Sequence, residues 1–296
     1  MMTWEETIAY FQSMDDQREL MKNTYLDRDL SGNAERYFQS IEFSQTLDLI
    51  KKYAPDAKTI LDVGAGNGIC SIAFARKGFE IYSLEPDPGK ITGRGAIEEL
   101  KLHYQLEKPI VHSGKGEGLP FEDNFFDVVF IRQAVHHADN LQNFINECLR
   151  VLKTNGLLLA IREHVVFDDA DKKMFFEQHP LHKYYGGENA YSLNEYLNAF
   201  TKAGGITLQT LKYFESPINY FPLTENDISK MEDRRRNSEN ESLIIKLGKA
   251  GNSKLLQWIY HNYLTLKLGD TFDERRLPGR MYSFIVKKNP VNSLNF

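Results

Sequence analysis

At 296 residues, with 42% hydrophobic and 12% aromatic content, the chain is long enough to bury a substantial core and to form one large domain or two small ones. Its formal net charge of -5 gives no broad attraction for a phosphate backbone, which argues against nucleic acid as the partner. The two cysteines, Cys70 and Cys148, fit neither a zinc spacing nor C-x-x-C, the opening Trp4-Glu5-Glu6 is acidic where a signal peptide is basic, and no apolar run approaches the ~20 residues of a membrane span. The expectation is a cytoplasmic protein with no metal, no disulfide framework and no membrane partner.

From Thr3 to Tyr53, Ile8, Phe11 and Met14, and later Phe38, Ile41, Leu47 and Ile50, recur at helical steps and predict two or three N-terminal helices, with Asn33 as a cap for Ala34–Tyr37. From Thr59 the period changes. Short β-rich runs at Thr59–Val63, Glu80–Leu84, Ile110–His112, Asp127–Ile131 and Leu157–Ile161 alternate with helical segments at Ile69–Lys77, Pro88–His103 and Asn140–Leu152, and Gly78 and Gly156 read as stops. That alternation predicts parallel β-α-β units, hence an α/β fold with a doubly wound, mostly parallel Rossmann-like sheet. Further strands are expected at Ile206–Phe214 and Met281–Lys287. Two stretches without strand signal, near 164–191 and 215–280, read as a substrate-side insertion and a helical insertion. The resulting division is a helical cap (1–54), a core (55–214), a helical insertion (215–280), and a final strand with its tail (281–296).

The most informative run is Asp62-Val63-Gly64-Ala65-Gly66-Asn67-Gly68-Ile69, three glycines where a predicted strand meets a helix. Glycines there let the backbone turn tightly and approach a ligand without a Cβ in the way. A dinucleotide fingerprint would need its last glycine at Ile69, which argues against a nicotinamide-dependent oxidoreductase. Glu85, followed by Pro86, lies 21 residues after Gly64, near the spacing at which an acid meets a ribose diol.

These residues resemble the class I S-adenosylmethionine-dependent methyltransferases, in particular the group related to ubiquinone-biosynthesis C-methyltransferases, from about Thr59 to His164. The resemblance implies that Gly64, Ala65, Gly66, Asn67 and Gly68 wrap the methionine part of S-adenosylmethionine. It further implies that Glu85 and Pro86 meet the ribose, and that Asp62 holds the loop and the ammonium group. In Gly114-Lys115-Gly116-Glu117-Gly118-Leu119-Pro120-Phe121, Lys115 replaces the family's adenine-binding Asp, which leaves backbone contacts near Gly116 and Glu117. In Ile131-Arg132-Gln133-Ala134-Val135-His136-His137, Arg132 and Gln133 correspond to the lining of the methionine end. The run Glu147–Leu158 corresponds to a helix, a turn at Gly156 and the fifth strand.

Arg36 and Tyr37 are candidates to close over the cofactor and pair with its carboxylate. Methyl transfer needs chiefly proximity and alignment. If the acceptor must lose a proton, Glu163 and His164 at the end of the fifth strand are the candidate catalytic residues. His136, Tyr184, Tyr185 and Asn189 are expected on the acceptor side. The reading is an enzyme that methylates an O, N or C atom of a small molecule. The alternatives are a cofactor-binding regulatory or scaffold protein and a methyltransferase acting on a protein. A DNA amino-methyltransferase is disfavoured because Arg132-Gln133-Ala134 stands where that group has Asn/Asp-Pro-Pro-Tyr/Phe.

Overall fold

The computed structural model describes residues 1–187, 189–268, 274, 277 and 279–290. It divides into two compact units, residues 1–219 with the C-terminal strand, and residues 220–277.

The larger unit opens with α1 (Trp4–Gln12), α2 (Arg18–Asn23), α3 (Leu30–Phe38) and α4 (Ile41–Tyr53), more helices than the two or three expected from sequence. Each of α1, α3 and α4 starts on a side-chain cap, from Thr3, Asp29 and Ser40 respectively. Asn33 is therefore not a cap. It lies inside α3, fully buried, and its side-chain amide donates to the Asp27 carbonyl at 2.9 Å.

The sheet is built from β1 (Thr59–Val63), β2 (Glu80–Leu84), β3 (Ile110–His112), β4 (Phe126–Arg132), β5 (Leu152–Val166), β6 (Tyr191–Ser192), β7 (Gly205–Leu211) and β8 (Met281–Lys288). The order is β3-β2-β1-β4-β5-β8-β7, with β6 against β5. Strands β1 to β5 pair in parallel, and β8 runs antiparallel to both β5 and β7. Between the early strands run α5 (Ile69–Arg76), α6 (Arg94–His103) and α7 (Leu141–Val151). Because helices cover both faces, the strand centres Ile60–Val63, Val128–Ile131 and Leu157–Ile161 are buried throughout.

Several boundaries differ from the sequence reading: the strand expected at Leu157–Ile161 runs Leu152–Val166, and the one expected at Ile206–Phe214 ends at Leu211. Residues 88–93 are a loop, closed by the Arg94 N–H on the Asp87 carbonyl at 2.8 Å and by the Asp87 carboxylate accepting from Gly89, so α6 begins six residues later than expected. At the other end of the sheet, α7 stops at Val151, before Gly156. Leu152 is already extended and pairs with Phe126, and Asn155, at φ +63°, supplies the left-handed turn that had been assigned to the glycine.

After β5 come α8 (Asp169–Gln178), α9 (His182–Tyr185) and α10 (Leu193–Lys202), so the stretch near 164–191 carries two of its own helices. A short α11 (Pro217–Tyr220) leads to the smaller unit, which contains α12 (Glu225–Leu247) and α13 (Lys254–Leu268). Helix α12 opens on a Thr224/Asp227 capping box and is far longer than the Leu243–Leu247 segment that stood out by hydrophobicity.

Candidate functional site

Strand order reverses between β1 and β4, because β2 and β3 continue on one side of β1 and β5 on the other side of β4. In open α/β sheets the crevice beyond the carboxyl ends of the strands at such a point is where ligands bind. Here the loops after β1 and β4 meet closely. Gly64 has φ +70°, and a Cβ on it would lie 2.6 Å from that of Ala134. The Gly64 and Ala65 amides donate to the Leu84 carbonyl at 2.9 and 3.1 Å, and Gly66, at φ +55°, faces open space. Gly68 packs on Ile97 of α6, and Asn67 Nδ2 donates to the Tyr25 carbonyl at 2.8 Å, tying the loop to the N-terminal helices.

Glu85 stands directly against this loop. Its carboxylate accepts the Gly66 N–H at 2.8 Å and the Asp87 N–H at 2.9 Å, and Arg94 Nη1 clamps the carbonyls of Glu85 and Pro86 at 2.7 Å each. Burial pushes the Glu85 carboxyl up to about 7, against the pull of those two amides. Asp62 is buried behind the loop and accepts from Ser71 Oγ at 2.6 Å. Burial raises it to about 6.

On the far side of β2, Gly116 packs against the Phe144 ring. The Glu117 carboxylate accepts the Asp139 N–H at 2.8 Å ahead of α7. Lys115 is exposed and pairs with Asp139 at 3.1 Å.

Several assignments change when burial is seen. Arg36 is paired with Asp27 and bonded to Asn33 Oδ1. Tyr37 is wholly buried against Tyr25 and Phe43, and desolvation holds its phenol well above the ordinary tyrosine range. Neither side chain is presented as a clamp. Arg132 turns under the sheet's helical cover and grips Glu42, Nε to Oε1 at 2.6 Å and Nη2 to Oε2 at 3.2 Å, with the Tyr25 and Tyr37 rings each 5.6 Å away. Gln133 sits at φ +52° with its amide on the Ile161 carbonyl.

Glu163 is engaged by the turn after β4 in this arrangement. Its fully buried carboxylate accepts the N–H groups of Ala134, Val135 and His136 at 3.0, 3.2 and 3.1 Å, and His136 Nδ1 at 2.8 Å. It is a clasp by which the end of β5 fixes the turn after β4. His164 is nearly buried, with Nδ1 on the Gly279 carbonyl at 3.1 Å and its ring 4.7 Å from that of His136 and 4.8 Å from Phe175. Since a carbonyl only accepts, His164 carries a hydrogen on Nδ1.

Above these rings, Tyr185 meets Trp4 at 5.3 Å and His137 at 6.2 Å, and Tyr184 packs on Tyr10 and Phe11. Glu5 reaches the amides of Lys90 and Ile91, and Met2 N–H donates to the Tyr184 carbonyl at 3.0 Å. Asn189 is spent on its own loop, with Nδ2 on Tyr191 Oη at 3.0 Å. Sequence reasoning did not single out Glu42, Tyr25, Arg94 or Trp4. For Glu42 a signal existed, since Glu42, Thr46 and Ile50 share one helical face and all are buried.

Residues 61–160 match the family described as Methyltransferase domain. The uncharacterized methyltransferase YcgJ of Bacillus subtilis (strain 168) is 27% identical over 198 residues, which is 64% of this chain and 75% of that protein. An uncharacterized methyltransferase of Mycobacterium sp. (strain JLS) is 32% identical over 103 residues, 35% of this chain and 38% of that protein. Among solved structures, that of Bacillus subtilis YcgJ is similar with a TM-score of 0.50 at 20% identity, covering 83% of this chain and 94% of the other. The [4+2]-cyclase SpnF is similar with a TM-score of 0.51 at 18% identity, covering 84% and 82%. Residues 61–160 thus resemble a methyltransferase domain, and the fold is the Rossmann-like α/β fold shared with solved methyltransferase-like structures.

Proposed function

We propose that this protein binds S-adenosylmethionine in the crevice between the loops after β1 and β4 and methylates an O, N or C atom of a small molecule. The observation that carries the reading is the glycine loop with Glu85 fastened to it. At Gly66 an added Cβ would stand in open space, so the bare backbone borders a cradle a ligand can fill, and the adjoining carboxylate is aimed at the same place. The acceptor oxygens of Glu85, beside the bare backbone of Gly66, fit the diol of a nucleoside.

Bound S-adenosylmethionine supplies an electrophilic methyl group on a sulfonium. The chain's part is placement. Asp62, through Ser71, fixes the start of the loop, Glu85 sets its far side, and Glu163 holds the 134–136 turn rigidly against β5. The rings of His136, His137, His164, Trp4 and Tyr185 wall the neighbouring space, which suits an acceptor with an apolar or planar body. Where the acceptor must lose a proton, His164 is the proposed base, with His136 beside it. The charge of -5 favours a small molecule over nucleic acid.

Calorimetric titration of cofactor-free protein with S-adenosylmethionine, with NAD as the control, tests the reading. The expected result is one site for the sulfonium cofactor and none for NAD; the reverse pattern, or no binding of either, sinks it. Binding without turnover across a panel of small acceptors would move the regulatory alternative forward, since the cyclase SpnF shows that this fold alone does not fix the reaction.

Two glycine variants locate the cradle. Gly66→Ala meets no neighbour, so it should lose roughly 1–2 kcal/mol of stability for its left-handed backbone. Its cofactor affinity should fall by more than that. Gly64→Ala adds a collision with Ala134 and should lose both together. Unchanged affinity in Gly66→Ala, read by the same titration beside a thermal melt, would place the ligand elsewhere.

A further inference from the structure

The cofactor crevice leaves one surface unexplained, and it lies on the helical unit. Helix α13 turns Leu255, Trp258, Ile259 and Tyr263 to solvent, 64%, 64%, 48% and 51% exposed. At steps of three and four residues they fall on one side of the helix. The end of α12 adds Ile245 and Leu247, 84% and 49% exposed. Large side chains gathered this way mark an interaction site.

The charge around them is mainly positive, the acids nearest on α12 being Glu241 and Glu239, the latter paired with Arg235 and His261. Residues 242–268 contain Lys246, Lys249, Lys254 and Lys267 and neither Asp nor Glu, in a chain whose net charge is -5. Lys246, Lys249 and Lys254 are exposed beside the apolar side chains, and Lys246 Nζ also reaches Tyr260 Oη at 2.8 Å. A second copy is a poor fit for this face. A two-fold contact sets the same patch against itself, which would bring lysine to lysine.

We propose that the outer face of α13, with the tip of α12, docks on an anionic phospholipid surface. Leu255 and Ile259 enter the acyl boundary, Trp258 and Tyr263 lie at headgroup depth, and the lysines meet lipid phosphates. This is attachment to one leaflet, since among the described residues no helix is long and apolar enough to cross a membrane.

The full-length chain is mixed with vesicles of equal parts phosphatidylglycerol and phosphatidylcholine, or of phosphatidylcholine alone, and sedimented. It should pellet with the first and not the second, and release as salt rises. In a Trp4→Phe background, emission from Trp258 should shift to the blue on the anionic vesicles. The paired change Leu255→Ser with Trp258→Ser should lower partitioning roughly tenfold or more. Joint Lys246→Glu, Lys249→Glu and Lys254→Glu, a separate test that leaves every apolar side chain in place, should abolish the preference for phosphatidylglycerol. No pelleting, equal pelleting with both vesicles, or indifference to both sets of changes overturns the proposal. So does blue-shifted Trp258 emission without vesicles together with a mass that grows with concentration, which would give this face to a second copy.

Discussion

Glu85→Gln should weaken S-adenosylmethionine binding on the order of 100-fold at pH 8 and flatten its pH dependence. An ionised carboxylate accepting a hydrogen bond contributes about 1.5–3 kcal/mol, and a diol offers two donors, so losing the charge at a site this enclosed is expensive. In the wild type the carboxyl is buried to the point of titrating at about 7. Affinity should therefore climb as pH rises through 7, because below it the ligand must first displace a proton, whereas the amide variant has no proton to displace. Stability runs the other way. The ordinary value is 4.5 and the folded value about 7, so the native state holds this proton to higher pH than the unfolded chain does. Its contribution to stability is complete below 4.5 and is lost as pH rises through 7, a change of about 3 kcal/mol in the difference between wild type and Glu85→Gln. Asp62, raised to about 6, is present in both proteins and cancels in that difference. Denaturant titrations at pH 5 and pH 8 read the effect directly; parallel curves for the two proteins would mean that Glu85 is well solvated.

Glu42→Gln should be the most damaging single change to the fold, by about 3–5 kcal/mol, because breaking a buried ion pair leaves its partner's charge stranded. Here the carboxylate serves two guanidiniums. It is gripped by Arg132 on both oxygens and stands 3.8 Å from Arg162, whose Nη1 also donates to the Ile218 carbonyl at 2.6 Å. Burial works against the charge of both. Glu42 overrides it for Arg132, which stays above the ordinary arginine range, while Arg162 is held below it. At roughly 2–4 °C per kcal/mol for a chain of this size, calorimetry should find the melting temperature lower by about 10 °C. A loss under about 1 kcal/mol would show that water reaches these arginines and that the network is an ornament of the surface.

The contrast between Glu85 and Glu42 marks how far the sequence could be read. Glu85 follows a strand, a glycine loop and a helix at a spacing that has a physical meaning, so its position beside Gly66 was legible before any coordinates. The early strands were legible for a related reason: Thr59–Val63 and Glu80–Leu84 are apolar runs bounded by turn residues, and a parallel sheet buries such runs on both faces. Glu42 looks like any solvated acid in an amphipathic helix, and only the β4 and β5 arginines arriving beneath it give it a partner. Glu163 runs in the opposite direction. An acid beside a histidine at a strand end suggests chemistry, but the turn after β4 offers it three backbone amides, and a carboxylate so engaged holds that turn in shape. Caps failed similarly, since Asp29 rather than Asn33 caps α3, and α7 ends on Leu152, before Gly156.

The strap formed by α1 carries a kinetic consequence. Glu5 holds the loop that follows Glu85, Trp4 leans on His137 beyond β4, and Met2 is stitched to Tyr184, so one short helix spans both banks of the crevice. Its moorings are a few hydrogen bonds and ring edges, the kind of attachment that breathes on microsecond-to-millisecond timescales while the sheet beneath stays still. Traffic through the crevice is then metered by how often this strap lifts. On the proposed function, a chemical staple between its first turn and α9 should slow exchange of whatever lies underneath.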